Sequence, residues 1–263
     1  MAAPIFLLTD FGDRDAYVGV MKAVMLSIDS SLVIVDLCHG VEPQNVVSSA
    51  YVLLSAVEYL PKGSIVVAVV DPGVGTSRRI GALIFSHFVL LAPDNGIATL
   101  VLEHYRCEMA IALDPGHFVK WPPSATFHGR DLFAPAAAYL ASGIVPFDQL
   151  GPRVDARSLV RLDLNPRIDG RVLEASILHI DRFGNLVTNV QAERWGIIHD
   201  HQWVCRIGDE IIPLVRTFAD CDVGEPLAYI GSSGFVEIAV RNGSAAERYG
   251  KVPTIFIEQL QGL

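Results

Sequence analysis

The chain predicts an α/β fold with a mostly parallel central sheet, followed by a smaller antiparallel β-barrel domain. Three observations lead there. Short apolar runs alternate with helical stripes through the first half. The pattern then breaks in a charged stretch from Pro152 to Arg171 that contains Pro166 and Gly170. Beyond it lie short strand-like pieces separated by turn signals. The expected division is an α/β domain over 1–160, a linker over 161–170 and a β domain over 171–263.

Element by element, the runs Ile5–Leu8, Leu32–Val35, Ile65–Val70 and Leu83–Leu91 read as strands, being too short for most helices. Between the first two, Tyr17, Val20, Met21, Val24, Met25 and Ile28 make an i, i+3, i+4, i+7 stripe. Asp15 stands where an N-cap would help that helix begin. Val47, Ala50, Leu54 and Val57 mark a second helix before Pro61 and Gly63. A third runs from about Arg130 to Ala141, apolar at Leu132, Phe133, Ala136, Ala137 and Leu140. In the last part, Phe183-Gly184-Asn185, Gly208-Asp209, Gly231 to Gly234 and Asn242-Gly243 are turn signals at the spacing of a small barrel.

The bulk numbers bound the function. With 263 residues, 51% of them apolar, the chain can bury a large core and does not read as disordered. Its longest apolar stretch, Ile80 to Ala92, is broken by Ser86 and His87 and is too short to span a bilayer. The N-terminus lacks the basic start and long apolar stretch of a signal peptide. Cys38, Cys107, Cys205 and Cys221 show no CxxC spacing, so free thiols in a reducing cytoplasm fit better than disulfides or zinc. A net charge of −9 without a Lys/Arg-rich run argues against a nucleic-acid partner. Such acidity ordinarily serves solubility.

Four apolar runs end in polar, glycine-containing clusters. They are Thr9-Asp10-Phe11-Gly12, Asp36 to Gly40, Asp71-Pro72-Gly73-Val74-Gly75, and Pro93-Asp94-Asn95-Gly96. One such cluster is commonly a turn or cap. Four at successive ends of parallel strands would gather on one sheet edge, where open α/β sheets bind ligands. Asp71 is the most informative, because Arg78 follows seven residues on and a neighbouring cation favours an ionised carboxylate. His128, between Phe127 and Gly129, has the best context of the eight histidines for proton transfer, although it could equally satisfy backbone groups. Gly73-Val74-Gly75 lacks the third glycine of a dinucleotide fingerprint and the lysine of a phosphate loop. Asp10, Asp13 and Asp15 suggest a hard-metal site, but the first turn of a helix explains acidic residues as well.

Taken together, these clusters resemble the S-adenosylmethionine hydroxide adenosyltransferase family, relatives of the fluorinase and chlorinase enzymes. The matching stretches are Leu8 to Gly12, Val69 to Arg79, Ala92 to Gly96, Phe127 to Pro135, Asp181 to Asn189, and Gly234 to Gly243. The resemblance implies a homotrimer with active sites between neighbouring subunits, in the cytoplasm that the cysteine usage already suggests. The activity it implies is hydrolysis of S-adenosyl-L-methionine to adenosine and L-methionine, with no cofactor, metal, nucleic acid or membrane. It assigns Asp71, Arg78 and His128 to preparing the water or hydroxide. Asp10 is matched to the ribose hydroxyls, and Asp181 and Asn185 to the adenine side. Ser232, Glu237 and Val240 match the segment that closes around the ligand, and Asp15 and Tyr17 the methionine end. One departure is Gly231-Ser232-Ser233-Gly234, where the family usually has Asn-Ser-Phe-Gly.

The residue types suit that chemistry. A sulfonium is already a good leaving group, so the need is a nucleophile in line with the C–S bond. Histidine accepting a proton from water, oriented by a restrained Asp71, would meet that need, and Asp71 is the alternative direct water contact. Two other readings remain: a 5′-halogenase, and a non-catalytic S-adenosylmethionine or nucleoside binder.

Overall fold

In the computed structural model, which describes residues 3–119, 122–198, 203–251 and 253–259, the chain divides into two units, Met1–Leu162 and Asp163–Leu263. The first contains β1 (Ile5–Thr9), α1 (Tyr17–Ile28), β2 (Ile34–Cys38), α2 (Val46–Val57), β3 (Ser64–Val69), β4 (Ile80–Ile84) and β5 (Phe88–Pro93). After them come α3 (Thr99–His104), β6 (Met109–Ala112), α4 (Ala134–Ala141) and β7 (Arg153–Val154). These strands make one mixed sheet in the order β2-β1-β3-β5-β4-β6-β7. The first four run parallel, and every later pairing is antiparallel.

Strands β1 and β3 are buried along their whole length, which is why they read as unbroken apolar runs rather than alternating ones. Their side chains still alternate between faces. Ile5, Leu7 and Val67 pack with Met21 and Met25 of α1 and Ala137 of α4. Phe6, Leu8 and Val66 pack on the other face with Leu53 and Val57 of α2 and Val101 of α3.

Three expectations need correction. The run Leu83–Leu91 is not one strand but the hairpin β4–β5, closed where the Phe85 N–H donates to the Phe88 carbonyl at 2.9 Å. Polar Ser86 and His87 belong at its tip, outside the sheet, and the reversal makes the sheet mixed instead of largely parallel. Asp15 does not cap α1. The cap position is Ala16, with no side-chain bond, and Asp13 and Asp15 are exposed ahead of the helix instead of lying in its first turn. The third helix enters through a wide π-helical turn over Gly129–Phe133 before α4 begins. Such turns are frequent at functional sites. Helix α3, six residues long, is too short to show a 3.6-residue period and was not expected.

The second unit contains β8 (Arg167–Asp169), β9 (Val172–Ala175), β10 (Ile177–Ile180), β11 (Leu186–Gln191) and α5 (Ala192–Trp195). Next are β12 (Trp203–Ile207), β13 (Glu210–Pro213), β14 (Pro226–Ile230), β15 (Phe235–Val240), α6 (Ala245–Tyr249) and β16 (Ile255–Gln259). They form two antiparallel sheets, β10-β11-β15-β14 and β13-β12-β16-β9-β8. Strand β8 falls inside the stretch read as a linker, paired to β9 across a turn with Gly170 at φ +60°. Leu186 and Ile238 from one sheet share a core with Cys205 and Ile257 from the other. A bridge from Leu214 to Ala228 joins the end of β13 to β14.

Candidate active site

At the C-terminal ends of β1, β2 and β3 the first unit holds a cavity of 380 Å³. Its polar lining includes Asp10, Gln44, Asp71 and His128. Three of the four strand-end clusters or their following loops therefore meet there, as the strand-end rule expects. The fourth does not reach it. Asp94 instead accepts from Arg79 Nε at 2.8 Å and from the Val160 N–H at 2.7 Å, a clamp between chain segments.

Asp71 follows β3 by two residues, and its side chain is 5% exposed. Arg78 reaches it bidentately: Nε donates to Oδ1 at 2.6 Å and Nη2 to Oδ2. The loop between them folds back through Val74 N–H to Asp71 carbonyl and Thr76 N–H to Gly73 carbonyl bonds, each 3.2 Å. Gly75 is required twice in that loop. Its φ is +81°, and a Cβ there would lie 2.5 Å from the Ala125 carbonyl oxygen. The close approach presses the Asp71 loop against the segment that carries His128.

Arg78 Nη2 also donates to His128 Nδ1 at 3.0 Å. Arginine only donates, so Nδ1 is the acceptor and the neutral imidazole is assigned its hydrogen on Nε2. Burial first, and the Arg78 charge second, push the imidazole pKa below its ordinary 6.5, against the opposite pull of Asp71 and Asp131. Arg78 is not among the residues lining the cavity, whereas Asp71 and His128 are. The guanidinium thus lies behind both groups, with Nη1 buried and unpartnered.

Asp131 was not singled out from the sequence. It is 1% exposed and accepts from the Ser124 N–H at 2.8 Å and from Arg130 Nε at 2.6 Å. It ties the start of the His128 segment to its end. The Arg130 guanidinium caps the Phe127 ring at 5.2 Å, and Phe127 lines the cavity.

Asp10 is half-buried, and its Oδ2 accepts the Gln44 N–H at 2.8 Å. Gln44 itself has φ +66°, a conformation few side-chain-bearing residues adopt. Tyr17 lines the same cavity, its ring 5.2 Å from that of Phe127. Asp15 does not line it.

The second unit holds its own pocket, of 630 Å³, with Asp181, Asn185 and Val240 in its lining. Asp181 accepts from the Phe183 and Asn185 N–H groups at 2.8 and 2.9 Å and from Asn185 Nδ2 at 2.7 Å. Phe218 and Tyr229 supply an aromatic wall, ring centroids 5.0 Å apart. Nothing in their sequence context marked them; only the β-strand pairing brings Tyr229 to the turn at Asp181. Glu237 lies behind this wall: it is 7% exposed, burial raises its pKa, and it accepts the Tyr229 hydroxyl. Glu237 and the exposed Ser232 line neither pocket.

Among the described residues, no group of three or more His, Cys, Asp or Glu side chains is arranged to hold a metal ion, and no helix is long and apolar enough to cross a membrane. All four cysteines are unpaired, and burial pushes the Cys205 thiol up to about 12.

Residues 5–151 match the SAM hydroxide adenosyltransferase N-terminal domain, and residues 175–254 the corresponding C-terminal domain. A Thermus thermophilus protein named (R)-S-adenosyl-L-methionine hydrolase is 42% identical over 255 residues, covering 94% of this chain and 95% of that one. A protein named fluorinase from an Actinoplanes species is 29% identical over 269 residues, covering 89% and 90%. The crystal structure of an uncharacterized conserved protein from Thermotoga maritima superposes with a TM-score of 0.86 at 35% identity, covering 98% of this chain and all of that one. On the strength of both domain matches, this chain belongs to the SAM hydroxide adenosyltransferase family.

Proposed function

We propose that the chain hydrolyses S-adenosyl-L-methionine, with water attacking ribose C5′ to release adenosine and L-methionine. One observation carries the reading: Asp71 and His128 face a single cavity while Arg78 grips both from behind. The 42% identity to the Thermus hydrolase supports it.

The step forms a bond from the water oxygen to C5′ and breaks the C5′–S bond, whose electron pair stays on sulfur as a neutral thioether. A proton must leave the water. Arg78 cannot take it, because arginine remains protonated. His128 Nδ1 is occupied by Arg78 and Nε2 carries a hydrogen, so the geometry favours Asp71 as acceptor over the imidazole. His128 then orients the water through its Nε2–H. Asp10, held by Gln44, keeps acceptor capacity for the ribose hydroxyls. Tyr17 serves the methionine end, while Asp15, exposed and off the cavity wall, has less geometric support for that role. Asp181, Asn185 and Val240 serve the adenine side, with Phe218 and Tyr229 as a stacking wall. Glu237 acts there indirectly, by holding the Tyr229 hydroxyl. Ser232, exposed and off both pocket walls, gains no support from the geometry for its expected place around the ligand.

No cofactor is needed, since the sulfonium supplies the leaving group. The configuration at sulfur is R, following the name of the Thermus relative. A halide nucleophile would need no proton acceptor and would be repelled by the Asp71 carboxylate. The core shared by the two sheets of the second unit, and the bridge at Leu214, support the expected barrel. The protein works in the cytoplasm as a homotrimer with its sites at subunit interfaces. Sedimentation equilibrium should therefore give three times the 28.5 kDa chain mass, and a fully active monomer would remove the trimer.

The deciding assay uses isotopically labelled water. Adenosine should carry the label at its 5′ oxygen and form faster from the R than from the S sulfonium. Adding chloride or fluoride should give no 5′-halo-5′-deoxyadenosine. Retention of substrate with no adenosine above the blank would leave a binding protein instead of an enzyme.

A further inference from the structure

Behind Asp10 runs a chain of side chains that none of these roles uses. Thr9, wholly buried at the end of β1, lies 2.8 Å from His39 Nδ1 through its hydroxyl, which also accepts the Phe11 N–H at 3.2 Å. His39 Nε2 is 2.9 Å from Asp36 Oδ1, and Lys22 Nζ donates to Asp36 Oδ2 at 2.6 Å. The ionised Asp36 only accepts, so Nε2 carries a hydrogen and, in the neutral ring, Nδ1 accepts from the Thr9 hydroxyl. The backbone repeats the link, since the Gly12 N–H donates to the His39 carbonyl at 2.8 Å. The loop that begins at His39 ends by holding Asp10 through the Gln44 N–H.

A hydroxyl, an imidazole and a carboxylate in line resemble a nucleophile relay. Thr9 cannot serve as one, because it has no exposed surface and its oxygen is committed to the Phe11 N–H. We propose instead that His39 is a positioning residue for ribose recognition. Through Thr9 it fixes the 9–12 backbone, and so the direction in which Asp10 presents its carboxylate to the cavity. This rests on the reading that Asp10 receives the ribose hydroxyls. Asp36 and Lys22, on β2 and α1, hold the ring from its far side.

The test compares His39→Ala, His39→Gln and Asp10→Ala for turnover of S-adenosylmethionine and for binding of adenosine against 2′-deoxyadenosine. His39→Ala should raise KM by about 10-fold with kcat changed less than about 3-fold, the scale of one lost orienting hydrogen bond to a charged network. The preference for adenosine should fall by a similar factor. His39→Gln, which offers an acceptor to Thr9 and a donor to Asp36, should restore both. Should His39→Ala fold poorly, Thr9→Val cuts the same link and should give the same shifts. A loss of thermal stability with KM and the ribose preference unchanged would make His39 merely structural and overturn the proposal. If Asp10→Ala collapses the preference while the His39 and Thr9 variants leave it intact, only this inference fails. If Asp10→Ala leaves the preference intact, the ribose reading fails and takes the inference with it.

Discussion

Replacing Arg78 with methionine should destabilise the first unit by about 3–5 kcal/mol, the usual cost of stranding one partner of a buried ion pair. The reason is burial: the Asp71 and Arg78 side chains are 5% and 8% exposed, so water replaces the lost cation only in small part. Adenosine formation should fall by about 10²–10³-fold, the scale for removing one fixed electrostatic donor from an active site. Adding Asp71→Asn to the same chain removes the stranded charge. That double variant should recover much of the stability and none of the activity. Urea unfolding and a chromatographic adenosine assay read the two effects separately. Wild-type stability in Arg78→Met would mean that the carboxylate does not depend on this cation.

Asp71→Asn alone should lower turnover by about 10²–10⁴-fold, the range for a lost proton acceptor, while adenosine binding stays within a few-fold. His128→Ala should cost less, and His128→Asn less still, because the asparagine oxygen can accept from Arg78 where Nδ1 did. The pH profile separates the roles of the two residues. The folded-state pKa of His128 lies below its unfolded 6.5, so the neutral ring persists as pH falls through that value. Protonation further down sets an imidazolium against the guanidinium and removes the acceptor for Nη2. Activity should therefore decline on the acid side of 6.5. The stabilising contribution of the neutral ring is present above 6.5 and is lost as pH drops through the folded pKa. His128→Ala should lack that acid limb. A wild-type limb at or above 6.5 would reverse the assignment.

Much of this was legible in the chain because burial writes plainly. Strands covered on both faces must be apolar throughout, so β1 and β3 stood out, and the long stripe of α1 did too. The hairpin β4–β5 was harder, since two buried strands and a tight turn make one apolar run whose only punctuation is Ser86 and His87. Asp15 misled because an acid just before a helix looks like a cap, whereas Ala16 takes the cap position of α1 and offers no side-chain bond. Asp71 and Arg78 were readable because a short loop joins them. Arg78 and His128 are 50 residues apart, and their contact rests on Gly75 meeting Ala125, which no local pattern announces. Phe218, Tyr229 and Gln44 were invisible for the same reason. An aromatic residue in a strand, or a glutamine in a loop, acquires meaning only from what the fold brings beside it.

The position of Arg78 has a wider consequence. It touches both Asp71 and His128 yet has no share in the cavity wall, so its grip needs no ligand to complete it. The orientation of carboxylate and imidazole is settled as the chain folds, and no dipole has to swing into line during each catalytic cycle. Low reorganisation of this kind is where enzymes gain much of their advantage over water.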